Sequence, residues 1–367
     1  MKNYQICQRC VMDTSASEIV FFDDGRCSFC KDFDDRVSLE IHNDLPESFL
    51  VKFADQVKSS GSGREYDCLI GISGGVDSSY VAYLTKSLGL RPLAIHLDNG
   101  WNSELATANI ENLCEKLDID LETTVLDWKE FRDIQRSFLQ SSISNVEIPT
   151  DHAIWAILVK TAAKHGIKYI ISGSNAANES IMPNSWLYGS KDSKIIKSIH
   201  KKFGSLPMRT FPYLTIFDYF EKLFLRRIKW IPILNYMNFN KEQAKAFLIE
   251  EYDWRDYGGK HYESIFTRFF HSYYLVEKFG YDLRRAYVSA EICSGQISRD
   301  NAINELARPP AHPDMIKSDI EYVKKKLKFS DADFGEIMAG KNLTHDAYGN
   351  NSKLWSSLSK YVQYFRK

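Results

Sequence analysis

The chain lacks any run of eighteen apolar residues, and its start, MKNYQICQRC, has no apolar signal core. Neither a membrane-spanning helix nor a secretory leader is therefore expected, and the cytoplasm is the default compartment. A basic excess is missing too: 47 Lys and Arg against 48 Asp and Glu leave a net charge of -1. Proteins that grip whole nucleic acids usually carry surplus positive charge to replace condensed counterions, so no nucleic-acid partner is expected. Nor is there compositional bias, since 44% hydrophobic and 26% charged residues describe ordinary globular material and exclude long disorder. The 367 residues suffice for one large core, or for two domains plus an appendage.

The densest signal present is Asp67 to Ser79, DCLIGISGGVDSS. Cys68 to Ile72 has the short continuous apolar character of a strand covered on both faces, and Ser78 to Leu84 switches to helical spacing. The loop between them sits where free N–H groups and the positive dipole end of a helix face outward. Gly74 and Gly75 let the backbone wrap an anion closely, and Ser73, Ser78 and Ser79 add hydroxyl donors. A Walker loop is excluded, because no Gly-Lys-Ser/Thr follows at the required spacing. Ser73-Gly74-Gly75-Val76-Asp77-Ser78 instead resembles the pyrophosphate-binding loop of the N-type ATP pyrophosphatases, a group including GMP synthetase, asparagine synthetase, NAD synthetase and several tRNA-modifying ligases. That resemblance implies cleavage of ATP between its α and β phosphates and adenylation of a carbonyl or carboxyl oxygen.

Four of the seven cysteines fall in the first thirty residues, as Cys7-x2-Cys10 and Cys27-x2-Cys30. Two such knuckles match a zinc ribbon, in which four thiolates complete a tetrahedron with no open position, so a structural role is expected. Disulfides and an iron–sulfur centre are the competing readings, disfavoured by a cytoplasmic setting and by the spacing respectively. Cys68, Cys114 and Cys293 stand singly within apparent strands or helices and read as buried, inert thiols.

After a charged stretch, Ser59-Ser60-Gly61-Ser62-Gly63 marks a linker. Strands at Pro92–Leu97 and Leu121–Leu126 then alternate with helices at Ser103–Leu117 and Trp128–Leu139, and a further strand is read at Tyr169–Ser172. This predicts an α/β fold, a doubly wound parallel sheet of the PP-loop ATP pyrophosphatase (adenine nucleotide alpha hydrolase-like) type. Ligands of such sheets bind at the C-terminal strand ends. Three polar clusters fall there: the Ser73–Ser79 loop, Asp98-Asn99, and the run from Gly173 through Asn175, Asn178 and Glu179.

Beyond Lys191 the pattern loosens, and Phe217 to Trp230 reads as a half-buried helix covering the sheet edge. The stretch from Trp254 to Arg268 crowds Lys260, His261, Glu263, Ser264 and Arg268 about a helix start. Lys260 and Arg268 suit neutralisation of departing pyrophosphate, with Arg284-Arg285 as additions. No chemistry is assigned to 296–367. The expected organisation is a zinc ribbon (1–35), a connecting helix and linker (36–62), an ATP pyrophosphatase domain (63–190) and a mainly helical C-terminal region (191–367) completing the active site.

The two knuckles, SGGVDSS, HLDNGWNSE (His96 to Glu104) and WRDYGGKHYESIFTRF (Trp254 to Phe269), in that order, resemble the N-acetyl sugar amidotransferase family of surface-polysaccharide and nonulosonate biosynthesis. What the resemblance implies is conversion of a sugar acetamido group to an acetamidino group, using ATP and ammonia and releasing AMP and pyrophosphate. On it, the Ser73–Ser79 loop holds the phosphates, Asp77 helps place Mg2+, and Asp98 and Asn99 line the nucleotide or metal side. Asn175, Asn178 and Glu179 form the adjacent rim, and Lys260 and Arg268 the outer face of the pyrophosphate. The residue after Met1 is Lys2, and no cysteine sits in a Gly-rich nucleophile turn, so no glutaminase is expected within the chain. A separate glutaminase subunit is implied, paired as in imidazole glycerol phosphate synthase with a cyclase subunit. A tRNA sulfurtransferase of the same superfamily is the alternative enzyme, and a nucleotide-binding scaffold the non-enzymatic one. Asn145–His152 and Trp186–Arg209 are where the acceptor pocket is expected.

Overall fold

The computed structural model describes residues 3–42 and 44–355. Its centre is a five-stranded, wholly parallel sheet: β1 (Cys68–Gly71), β2 (Pro92–Asp98), β3 (Asp120–Val125), β4 (Tyr169–Ser172) and β5 (Lys229–Pro232), in the order β3-β2-β1-β4-β5. Alternation along the strands divides the apolar side chains between two faces. Ile70, Ala94 and Ile171 pack with Val57, Val81, Ile110 and Leu248 on one side. Leu69, Leu93 and Ile170 meet Ile157 and Leu158 on the other. Both faces are covered, as the continuous apolar runs of β1 and β4 require.

The fifth strand of this sheet departs from the sequence reading. Phe217–Trp230 is not one helix: a short helix at Ile216–Phe220 passes through a π turn at Glu221–Leu225 into β5, which pairs with β4. The parallel sheet thus draws a strand from the region expected to be mainly helical. Lys229–Pro232 is only four residues long, too short for periodicity to separate strand from helix, and Pro232 is tolerated because β5 is an edge. The helix Glu47–Ser60, read as a connector, places Ala54 and Val57 in the core beneath β1.

A second and larger core lies outside the sheet. Phe131 and Phe138 of the helix Trp128–Gln140 join Phe266, Phe269, Phe270 and Tyr274, and the helices Pro313–Leu327 and Asp331–Ala339 close over them with Val323, Leu327 and Phe334. The helices of the 296–355 segment therefore support this core, while Gln296, Ile297 and Glu305 border the cavity at the sheet's carboxyl edge. Lys326 reaches back to donate to the Gly100 carbonyl, and its ammonium lies 4.8 Å from the centre of the Trp101 ring. Residues 356–367, the end of the expected C-terminal region, lie outside the described residues, as do Met1 and Lys2. Among the described residues no helix is long and apolar enough to cross a membrane.

Candidate active site

Reversal of strand order between β1 and β4 creates a crevice at their carboxyl ends. A cavity of about 660 Å3 opens there. Ser73, Gly75, Val76, Asp77 and Ser78 wall it after β1, and Gly173, Ser174 and Glu179 after β4. Opposite stand Lys241, Lys260, His261, Glu263, Tyr287 and Glu291.

The phosphate loop is held by its own hydroxyls. Ser78 Oγ accepts from Ser73 N (3.2 Å) and donates to the Gly75 carbonyl (3.1 Å), while Ser73 Oγ accepts from Gly75 N (3.3 Å). Gly75 caps the helix Val76–Ser87, whose first N–H groups face the crevice end of the sheet. Gly74 has φ +84°, and a Cβ there would lie 2.8 Å from Tyr257 Oη and 3.0 Å from the Ala106 carbonyl oxygen. Its own carbonyl accepts from Trp254 Nε1 (2.8 Å) and from Tyr257 Oη (2.9 Å). The 254–257 stretch is thus a clamp on the loop, a function that its aromatic residues did not reveal.

Asp77 lies deep in the wall. Burial pushes its carboxyl above the ordinary aspartate value, and the opposing charges of Lys241 and Lys260 offset this only in part. Its Oδ1 has no hydrogen-bond partner among the described residues. Across from it, Lys260 Nζ lies 3.3 Å from Glu179 Oε1 and 3.6 Å above the Tyr287 ring centre. Burial raises the Glu179 carboxyl, but Lys260 and His261 override it and leave the group below the usual glutamate value. An ionised Glu179 beside an orphaned Asp77 oxygen is the donor set that Mg2+ takes, one or two carboxylates with phosphate oxygens completing an octahedron.

The other residues expected at the site divide. Gly173 is indispensable for packing: a Cβ would sit 2.9 Å from the Asp77 carbonyl carbon and 3.1 Å from Ser78 N. Asn175 caps the short helix Ala176–Glu179 by accepting from Asn178 N (3.0 Å). Behind the wall, Asn175 Nδ2 and both amide atoms of Asn178 are buried without a partner among the described residues. Ser79 is fully buried behind the loop. Asp98 and Asn99 line no part of the cavity; they fold the turn after β2, accepting from Gly100 N (2.7 Å) and Trp101 N (3.1 Å). Their strand lies on the far side of β1 from the crevice.

Arg268 also stands away from the phosphate loop. Its guanidinium makes a bidentate pair with Asp319 (2.7 Å on each arm), tying the helix Ile265–Phe269 to Pro313–Leu327, and it faces an adjoining recess of about 230 Å3. The cation that faces Asp77 besides Lys260 is Lys241, at the start of the helix Lys241–Tyr252 capped by Asn240. Asn240-Lys241-Glu242 is an ordinary helix start in the sequence, and nothing local marks its lysine. Of the two arginines proposed to assist, Arg284 borders the cavity but is paired with Asp282 (2.6 Å), and Arg285 turns to Asp13 (3.2 Å).

A second group of acids was not singled out. Glu147 precedes the helix Ile148–Lys164 and accepts from Thr267 Oγ1 (2.8 Å). Burial, with Asp151 one turn away, pushes its carboxyl up to about 8. Asp151 is raised too, to about 6, by the protein crowded around its carboxyl, with His261 countering, although the residue itself keeps a solvent-exposed surface. Both lie in the Asn145–His152 stretch expected at the acceptor pocket. Because the folded value of Glu147 exceeds the ordinary one, the folded chain keeps a proton that the unfolded chain has released. Stability should therefore fall as pH rises from about 4.5 to about 8, by at most about 1.4 kcal/mol per unit. Glu147→Gln keeps an acceptor for Thr267 and should be the more stable form at pH 8, with little difference at pH 5. Urea unfolding at the two pH values measures this, and an unchanged slope would assign the dependence to another group.

At the N-terminus the four cysteines converge, fully buried, with their sulfurs all within 4.8 Å of one another. Three of the separations are 3.7, 3.7 and 3.8 Å. A tetrahedron of thiolates about zinc, with bonds of about 2.3 Å, has edges of about 3.8 Å. The four residues fit a closed zinc site.

Two stretches of the chain match known families. Residues 49–193 match the model described as NAD synthase, and residues 263–362 match "LPS biosynthesis protein WbpG-like, C-terminal domain". These two matches support the chain's resemblance to the N-acetyl sugar amidotransferase family within the PP-loop superfamily. Its PP-loop domain is of an ATP-utilising kind, and its C-terminal domain is of the lipopolysaccharide-biosynthesis kind. No curated protein matches the chain. Among solved structures, the NH3-dependent NAD synthetase of Campylobacter jejuni is similar at 14% identity and TM-score 0.35, over 77% of this chain and 95% of that one. The NMN synthetase of Francisella tularensis is similar at 17% and 0.29, over 56% and 87%. A "predicted subunit of tRNA methyltransferase" from Methanocaldococcus jannaschii reaches 17% and 0.29, over 49% and 74%. At TM-scores this low the fold rests on the strand order and the family models, not on these likenesses.

Proposed function

We propose that this PP-loop protein adenylates the acetamido carbonyl of an N-acetyl sugar, nucleotide-linked or nonulosonate, and substitutes ammonia to give an acetamidino sugar for a surface glycan such as an O-antigen. One observation carries the reading: a single cavity has the phosphate loop on one wall and Glu263, Tyr287 and Glu291 of the WbpG-like domain on another. ATP and an acceptor held by the second domain would meet there.

An amide carbonyl is a poor electrophile, so ammonia does not add to it unaided. Attack of the carbonyl oxygen on the α-phosphorus of ATP forms a P–O bond and expels pyrophosphate. The product is an O-adenylated imidate with a good leaving group. Ammonia adds to its carbon, the C–O bond to AMP breaks, and the amidine leaves as a cation. Lys241 and Lys260 would meet the pyrophosphate charge as it develops. Asp77 and Glu179 would hold Mg2+, which when bound neutralises phosphate charge. Ammonia would come from a separate glutaminase subunit with its cyclase partner.

The alternative sulfur transfer calls for a reactive thiol at the cavity. Cys68 is buried in β1, Cys114 in the helix Glu104–Leu117, and Cys293 stands at the ribbon. These placements favour amidination. The test is pyrophosphate release from ATP, with ammonium, across a panel of N-acetylated sugars and bulk tRNA. Release dependent on a diacetamido sugar, with a product carrying NH in place of oxygen, is the expected result. Release driven by tRNA alone would overturn it, and none with either would favour a nucleotide-binding scaffold.

A further inference from the structure

The seventh cysteine is not the isolated thiol that the sequence suggested. Cys293 Sγ lies 3.9 Å from Cys30 Sγ, beside the 3.7–3.8 Å separations among the four ribbon thiols. Cys30 and Cys293 are 263 positions apart, so local sequence could not have announced the meeting.

We propose that Cys293 is a reserve ligand of the metal centre, able to take the place of Cys30 on zinc. A structural zinc site is four-coordinate, so a fifth thiol joins only by exchange. The Zn–S bond to Cys30 breaks as that to Cys293 forms, and the Cys293 thiol proton passes to the Cys30 sulfur. Coordination number and net charge are conserved, and no oxidant or reductant is required.

The packing keeps Cys293 at hand. It ends the helix Leu283–Cys293, which the ribbon grips at two earlier points. Arg285 pairs with Asp13 (3.2 Å) and donates to the Val11 carbonyl (2.5 Å), and Ser289 Oγ accepts from Val11 N (3.2 Å). The same helix sends Tyr287 and Glu291 into the cavity. Exchange would therefore bond the metal centre directly to a cavity wall. This inference rests on the fit of the thiols to zinc and not on the amidotransferase reading.

The experiment uses the full chain loaded with Co2+ or Zn2+. Cys30→Ser should keep one metal per chain and a four-thiolate cobalt spectrum, because Cys293 supplies the missing sulfur. Cys30→Ser with Cys293→Ser should fall to a three-thiolate spectrum and bind zinc a further 10- to 100-fold more weakly, roughly the range for disturbed metal sites. Identical spectra for the single and double variants would overturn the proposal. Should Cys30→Ser not fold, the parent and Cys293→Ser decide it by chelator-driven zinc release. Release about 10-fold faster without Cys293 is expected, since a transiently lost Cys30 is then not replaced; equal rates would remove Cys293 from the centre.

Discussion

Asp77→Asn is expected to lower sugar-dependent pyrophosphate release by about 10³-fold, the upper range for removing one electrostatic contact to a developing charge. Zinc content should stay at that of the parent, because the ribbon and the phosphate loop are built from separate segments and cores. The same change should raise the stability of the ligand-free protein. Burial drives the Asp77 carboxyl up, so its ionised form is costly in the fold, and a neutral amide of equal shape removes that cost. Activity and thermal stability would thus move in opposite directions, which a merely structural aspartate would not do. A variant with parental turnover would remove Asp77 from the reaction, and one that loses both activity and stability would make it a packing residue.

Gly173→Ala is the second large effect. Its added methyl group would meet the Asp77 carbonyl carbon at 2.9 Å, the carbonyl oxygen at 3.0 Å and Ser78 N at 3.1 Å. All three belong to the backbone of the helix that the phosphate loop starts, so nothing flexible can yield. Either β4 or the loop must shift by several tenths of an ångström, costing about 1–3 kcal/mol. Because the helix start is the anion-binding element, ATP affinity should fall by at least about 10-fold, since a displacement of order an ångström costs far more than that in a positioned reaction. Isothermal titration with ATP and denaturant unfolding measure the two consequences. Unaltered affinity with the expected destabilisation would confine Gly173 to the fold. In contrast, Gly258 has open space around it, although its φ of +80° still disfavours a side chain.

How the site could be read from sequence depended on how local each feature is. The loop was legible because strand, glycines and helix start are contiguous, and the chemistry of anion binding needs them in that order. The four-thiol cluster was legible in its cysteines for the same reason, each knuckle being a single turn. Arg268 misled because charge at a helix start looks alike whether it faces a ligand or a buried carboxylate; its partner Asp319 lies 51 positions away. Asp98 and Asn99 misled because every parallel strand ends in a polar turn, while only the strands flanking the reversal border the crevice. Lys241 carried no local mark, and Glu147 and Asp151 were marked only as members of the Asn145–His152 stretch.

Sequence alone determined the parallel α/β architecture, the phosphate loop with Asp77, and the set of four thiols. These follow from periodicity and from short-range geometry, which the chain imposes wherever it lies. Tertiary structure alone decided that β4 and β5 complete the sheet beside β1, that Lys241 and Lys260 face Asp77, and that Cys293 stands at Cys30. Those meetings are selected by burial of two separate cores, whose free energy depends on surfaces far apart in the sequence, and no local pattern encodes such a sum.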